Sequence, residues 1–360
     1  MRAVIFHDVG KPITIEEIEI DEPLADEVLV KTAASGICGS DLHYFDGTSA
    51  MPYPAVFGHE GAGVVEAVGS GVTEFSPGDH VIACLSVYCG ECVDCLTGRS
   101  NLCELKPERG PADPPRVSRD GVGLHQHARV GSHAEYMLLH KNGLVKIRDD
   151  MPLDRASLIG CGVTTGFGAA LRTAKVEPGS TVAVFGTGGV GLSALNGSIV
   201  AGARIVIAVD VRDDKLANAT NIGATHVVNG AETDPVEAIR EITGGGADYT
   251  FEAIGKPPVA RQAFDALRAG GTCTVIGVMP IGSEISIAGR DLLREKKLQG
   301  SSMGSNRLKV DIPRYVDMYL GGKLRLDDMI TNRGTIDDAP AMFDAAIAAD
   351  EARQIFLFDS

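Results

Sequence analysis

The stretch from residue 181 to residue 210 restricts the fold more than any other part of the chain. "TVAVFGTGGVG" is an apolar run that ends in Gly186, Gly188 and Gly191, spaced G-x-G-x-x-G, with Gly189 and Val190 inside the turn. A second apolar run, "IVIAVD", closes on Asp210, nineteen residues past Gly191. A strand that turns through glycine into a helix, followed by a strand ending in an acid, predicts a βαβ unit of a doubly wound parallel sheet. The glycines permit a tight turn and let a pyrophosphate approach the helix N-terminus. Asp210 would accept ribose hydroxyls and repel a 2′-phosphate, which favours NAD over NADP. On these residues alone, a plain tight turn and a helix N-cap are the competing readings. Arg212, two positions on, would soften the preference for NAD.

Four more apolar runs follow, "THVVN", "ADYTFEAIG", "GTCTVIGV" and "KLQGSSM", with helical patterns between them. Six strands alternating with helices give an α/β, Rossmann-type domain over 163–302. The first 160 residues differ: "VLVKTAASGIC" and "GAGVVEAVGSGV" are short β-type runs broken by glycine. The segment 106–123, containing "KPERGPADPPR", reads as a long surface loop. After residue 303 helices are expected near 312–320 and 337–350, then "QIFLF" as a closing strand. Two domains also suit 360 residues, at roughly 150 residues per domain.

Charge narrows the partners. The chain carries 33 basic and 48 acidic residues, a net charge of −15, with no basic cluster. Nucleic acid and anionic membrane surfaces both need a basic face, so neither is expected. Asp8 comes too early for a signal peptide, and the apolar region 181–209 is broken by glycines, Asn196 and Arg204. A soluble, cytoplasmic protein follows.

Four of the eight cysteines, Cys89, Cys92, Cys95 and Cys103, fall within fifteen residues as C-x2-C-x2-C-x7-C. In a reducing compartment such clusters are metal sites more often than disulfides. Four thiolates close a tetrahedral zinc, so this lobe, at about 84–105, predicts a structural metal. Cys38 in "GICGSDLH", His59 in "GHEGAG" and Cys161 in "IGCGVTTG" each sit beside glycine. Two thiolates and an imidazole form a Cys2His set with an open position, the catalytic zinc arrangement. By composition alone that grouping is weak, because buried cysteines and lone histidines are common.

Together these motifs resemble the zinc-dependent medium-chain alcohol dehydrogenase family along essentially the whole chain. "GHEGAGVVEAVGSGV" is similar to the family's zinc signature, and "CGSDLH", the cysteine lobe, "GCGVTTG", "GTGGVG" and "RQIFLF" occur in the family's order. The resemblance implies a mainly β, GroES-like catalytic domain built from 1–162 and 303–360, with the dinucleotide domain inserted. It implies two zinc ions per chain: Cys38, His59 and Cys161 hold the catalytic one, and the four-cysteine lobe holds the structural one. The reaction implied is reversible hydride transfer between an alcohol and NAD, the zinc acting as Lewis acid on the hydroxyl.

The resemblance also assigns individual roles. Ser40 and His43 would relay the hydroxyl proton to water; a turn serine and a surface histidine are the bland alternatives. Glu60 and Asp41 would support the metal site. Arg353 would pair with the cofactor pyrophosphate, Lys215 would reach the adenosine ribose, and Val190 and Val278 would back the nicotinamide. Leu85 and Ser49 fall at substrate-pocket walls. With leucine and no nearby arginine, a mostly apolar pocket for primary aliphatic or aromatic alcohols is expected. Gly39 stands where many members carry a basic residue on the pyrophosphate, so weaker cofactor affinity follows. The segment 104–135 is similar to the longer loops of dimeric members, which favours a homodimer over a homotetramer. A thiol-adduct formaldehyde dehydrogenase ranks second, because it should carry charge in the pocket and Ser49 is not an acid. A polyol dehydrogenase would usually have glutamate in place of Cys161. A non-catalytic protein on this fold would have lost the zinc ligands. Cys84 and Cys273 receive no role.

Overall fold

The computed structural model describes residues 1–348 and 353–359. Two compact units emerge from the chain. One comprises Met1–Cys161, Arg307–Gly321 and Ile330–Ser360; the other comprises Gly162–Asn306 and Gly322–Met329. Residues 322–329, placed with the chain's end by the sequence reading, pack with the second unit. There the side chain of Asn196 holds Lys323 and Arg325 through their backbones.

The first unit is built on mixed, mainly antiparallel sheets. The elements that frame its site are β1 (Glu27–Ile37), α1 (Gly39–Phe45), β2 (Glu60–Val68), β3 (His80–Ala83), β4 (Tyr136–His140) and β5 (Leu144–Lys146). Strand β1 alternates inward valines Val28 and Val30 with Leu29 and Lys31, and its core face meets Val65, Val81, Met137 and Leu139. The period-2 pattern is what a half-buried strand requires. β2 and β4 flank β1 in antiparallel register, with Glu60 opposite Gly36.

The second unit carries β6 (Thr181–Phe185), α2 (Gly189–Val200), β7 (Ile205–Asp210), α3 (Asp213–Ile222), β8 (His226–Asn229), α4 (Pro235–Thr243), β9 (Ala247–Glu252), α5 (Pro257–Asp265), β10 (Leu267–Val275) and β11 (Lys297–Gly300). Its strands run parallel in the order β8-β7-β6-β9-β10-β11. All six apolar runs are therefore strands of one doubly wound sheet. Residues Ala183, Phe185, Ile207 and Val209 pack against Ile239, Phe264 and Leu267 on one face. Such near-continuous apolar strands are typical of a sheet covered on both sides.

The chain then returns to the first unit through α6 (Leu308–Leu320), β12 (Asn332–Gly334), α7 (Ala339–Ile347) and β13 (Gln354–Leu357). β13 pairs antiparallel with β1, Gln354 opposite Ile37, so the chain's two ends share one sheet. The end of the expected helix 337–350 lies outside the described residues; Ile336–Asp338 forms a 3-10 turn before α7. The segment 106–123 is less open than a surface loop. Val117–Arg119 and Val122–Gly123 form a hairpin. Arg109 is buried against Asp21 and Glu27, and Arg116 donates to Glu27 at 2.6 Å.

Candidate active site and metal centres

Three separate pieces of chain converge in the first unit. Cys38 follows β1 and caps α1, His59 immediately precedes β2 and Glu60 begins it, and Cys161 follows a 3-10 turn at Leu158–Gly160. The ligand atoms of Cys38, His59, Glu60 and Cys161 lie within 4.8 Å of one another, and all four residues are buried. Two sulfurs, an imidazole and an adjacent carboxylate are a donor set that zinc accepts with one exchangeable position.

His59 Nδ1–H donates to Asp41 Oδ1 at 3.1 Å, which leaves Nε2 for a metal. Ser40 Oγ lies 3.1 Å from that Nε2. Ser40 and His43 are three apart on α1 and so share a face; both are half-buried. Asp41 Oδ2 also accepts the Cys38 backbone N–H at 2.8 Å, tying the helix start to the ligand. Burial would raise the Asp41 carboxyl, but His59, His127 and His133 hold it well below the usual carboxylate range. The Cys161 thiol beside Cys38 brings Cys38 well below an ordinary thiol, against its burial, and His59 adds to this. Burial pushes Glu60 up to about 7 although Arg353 stands beside it.

Arg353 is buried and donates to Glu60 Oε1 at 2.9 Å and to the Ile37 carbonyl at 3.3 Å. Its described partners thus belong to the zinc-site carboxylate and the β1 backbone.

The four-cysteine lobe forms a second centre. Cys92 Sγ lies 3.4 Å from Cys95 and 3.8 Å from Cys103, and Cys89 Sγ lies 3.9 Å from Cys95 and 3.6 Å from Cys103. A tetrahedral zinc with bonds of about 2.3 Å places its sulfurs about 3.8 Å apart. The Glu91 and Cys92 backbone N–H groups point at Cys89 Sγ and draw it down to about 7. All eight cysteines are free thiols.

In the second unit, Gly186 has φ +89°, and a Cβ there would meet Ile254 at 2.5 Å. A Cβ on Gly191 would lie 1.8 Å from the Gly186 carbonyl, so helix and strand approach only without side chains. Gly188 caps α2, and nothing lies within 4 Å of the space a Cβ would fill there. That opening at a helix N-terminus suits a pyrophosphate. Asp210 ends β7 half-buried; Oδ2 accepts from Thr187 N–H and its hydroxyl at 2.8 and 2.9 Å, and Oδ1 from Val211 N–H at 2.8 Å. Oδ1 also accepts from the Arg212 N–H at 3.3 Å, so a ribose hydroxyl would share or displace one of these bonds. Val190 and Lys215 are half-buried, and Val278 is exposed.

Leu85 and Ser49 are both half-buried, and the Ser49 backbone N–H donates to the His43 carbonyl. One feature beside Leu85 escaped the sequence reading: Lys106 donates to the Leu85 carbonyl at 3.4 Å, and burial and nearby Arg129 lower its pKa. Leu85, expected at an apolar wall, therefore has a lysine close by. His127 and His133, buried around Asp41, were also missed. The only signal in sequence was crowding, since three of nine histidines fall at His125, His127 and His133.

Fold, donor set and glycine turn define a zinc-dependent dehydrogenase of two units, and the chain belongs to the zinc-dependent medium-chain alcohol dehydrogenase family. It is an oxidoreductase whose cofactors are zinc and NAD. Residues 24–149 match the alcohol dehydrogenase GroES-like domain, and residues 189–319 match the zinc-binding dehydrogenase family. The chain is 38% identical to an S-(hydroxymethyl)glutathione dehydrogenase of Paracoccus denitrificans, across 99% of each chain. It is also similar to the crystal structure of benzyl alcohol dehydrogenase from Acinetobacter calcoaceticus, at 34% identity and a TM-score of 0.94 across 99% of each chain. An alcohol dehydrogenase zinc-binding domain protein from Burkholderia ambifaria is 36% identical, with a TM-score of 0.94, across 100% of this chain and 99% of that one. No helix among the described residues is long and apolar enough to cross a membrane.

Proposed function

We propose that this protein interconverts primary alcohols, aliphatic or aromatic, with their aldehydes at the Cys38–His59–Cys161 centre. When bound there, zinc supplies Lewis acidity toward the alcohol hydroxyl, and NAD takes the hydride. The observation that carries the reading is the 3.1 Å separation of Ser40 Oγ from His59 Nε2, which stations a hydroxyl beside the metal-facing nitrogen. Ser40 receives the substrate proton and His43, on the same face of α1, hands it to water. Asp41 fixes the His59 tautomer, and Arg353 holds Glu60 beside the metal. Gly186, Gly188 and Gly191 seat the pyrophosphate, Asp210 takes the ribose, and Lys215, Val190 and Val278 complete the cofactor contacts. Leu85 and Ser49 supply an uncharged wall, which favours apolar substrates. The likeness to a benzyl alcohol dehydrogenase supports this choice. A homodimer, supported by the length of segment 104–135, and a cytoplasmic location complete the proposal, and the −15 charge speaks against nucleic acid and anionic membrane surfaces as partners.

One observation favours a second reading, oxidation of an S-hydroxymethyl thiol adduct. Lys106 at the Leu85 carbonyl could meet a carboxylate of the thiol carrier, and the Paracoccus relative bears that activity's name. Initial rates of NAD reduction separate the two. Rates rising from ethanol to long-chain and benzyl alcohols support the alcohol reading. Activity confined to formaldehyde mixed with glutathione or another small thiol replaces it with the adduct reading.

A further inference from the structure

Behind the zinc-site histidine stands a second tier of imidazoles. Asp41, with no exposed surface, receives His59 Nδ1–H on Oδ1 and the Cys38 backbone N–H on Oδ2. His127 Nδ1 lies 3.0 Å from the same Oδ1, and His133 Nε2 lies 3.8 Å from Oδ2. Both nitrogens are buried without a geometrically formed hydrogen bond among the described residues, and the polar atom placed near each is an Asp41 carboxylate oxygen. A buried imidazole N–H facing only a carboxylate has one role available, to donate toward it.

The surroundings fix both rings in that orientation. His127 packs among Tyr44, Phe57 and His59, with ring centroids 4.7 to 4.8 Å away. His133 stands edge-on to Phe356 at 4.9 Å. Its Nδ1 lies 2.7 Å from Ser35 Oγ, which lies 2.7 Å from Ser132 Oγ. If Ser132 donates to Ser35 and Ser35 to His133 Nδ1, the His133 proton falls on Nε2, toward Asp41. Gly58, at φ +90°, makes room, since a Cβ there would meet His133 Nδ1 at 2.5 Å.

We infer that His127 and His133 are positioning residues for the catalytic metal: they hold Asp41 in place, and Asp41 in turn aims His59 Nε2. Groups that orient a ligand in this way typically change metal affinity about 10- to 100-fold. The inference rests on the assignment of Cys38, His59 and Cys161 to zinc, and on nothing about the substrate.

The test measures zinc affinity by chelator competition on the full-length protein, together with the visible spectrum after cobalt replaces the catalytic zinc. His127→Phe keeps the aromatic packing and removes the N–H. It should weaken the catalytic zinc about 10-fold or more and alter the cobalt bands, while the four-cysteine zinc stays unchanged. His127→Gln, which restores an N–H donor, should recover part of the loss, and His133→Phe should show a smaller loss. Unchanged affinity and spectrum in both phenylalanine variants would overturn the inference. So would failure of both to fold, because the histidines would then serve the fold. A parent protein that binds only one zinc overturns the zinc assignment itself, and this inference with it. A parent with two zincs and indifferent variants overturns this inference alone.

Discussion

Arg353 donates to Glu60 Oε1 at 2.9 Å, although 293 residues separate them, and both side chains are buried. The pairing of β13 with β1 and of β1 with β2 brings them together. Removing one partner of a buried ion pair strands the other charge and costs about 3–5 kcal/mol. Arg353→Ala should therefore lower the unfolding free energy by about 3 kcal/mol or more, read in urea titrations. Arg353→Ala combined with Glu60→Gln should recover part of that loss.

The Arg109–Glu27–Arg116 network gives an acid-limb prediction. Burial would raise Glu27, but the two guanidinium groups outweigh it and hold its carboxyl below the usual value. A carboxyl depressed in the folded state contributes stability above its unfolded pKa, about 4.3, and loses it as pH falls through the lower folded value. Between about pH 5 and pH 3 the parent's melting temperature should fall more steeply than that of Glu27→Gln. At pH 7 the variant should be less stable, because Arg109 and Arg116 lose their shared partner. Parallel acid limbs would contradict the assignment.

Ser40→Ala should reduce kcat about 100-fold at pH 7 and less at pH 9, where hydroxide replaces the relay. A variant slowed equally at both pH values would mean that Ser40 serves the site by structure alone.

Gly39 is exposed, and no atom lies within 4 Å of a Cβ built there, so a longer side chain fits. Gly39→Arg should tighten NADH binding about 5- to 10-fold, since one charge-assisted hydrogen bond to phosphate is worth at least 1 kcal/mol or so. Fluorescence titration with NADH checks this, and unchanged affinity would refute a missing phosphate contact.

Legibility in the sequence followed the range of each signal. The parallel sheet was readable because each strand announces itself within five or six residues, as in "TVAVF" and "IVIAVD", and the glycine turn needs only local geometry. The metal cysteines at 89–103 were readable for the same reason. Joining Cys38, His59 and Cys161 depended on family resemblance, because the first and the last stand 123 positions apart and no periodicity reports on sheet register. The Arg109–Glu27 pair spans 82 residues and turned an apparent loop into anchored chain. His127 and His133 gave no signal beyond the crowding of histidines at 125–133, since a buried histidine looks in sequence like any other. Their meaning appears only when Asp41 and Gly58 are seen around them.

The most direct test of the account is zinc per chain, by atomic emission, in the parent, Cys161→Ser and Cys95→Ser proteins, each assayed for NAD reduction by alcohol. The account predicts two zincs in the parent and one in Cys161→Ser, with activity lost in that variant while its fold remains. Cys95→Ser should lose the other zinc. A Cys161→Ser protein that keeps two zincs and reduces NAD at the parental rate would contradict the assignment of the reactive metal to Cys38, His59 and Cys161.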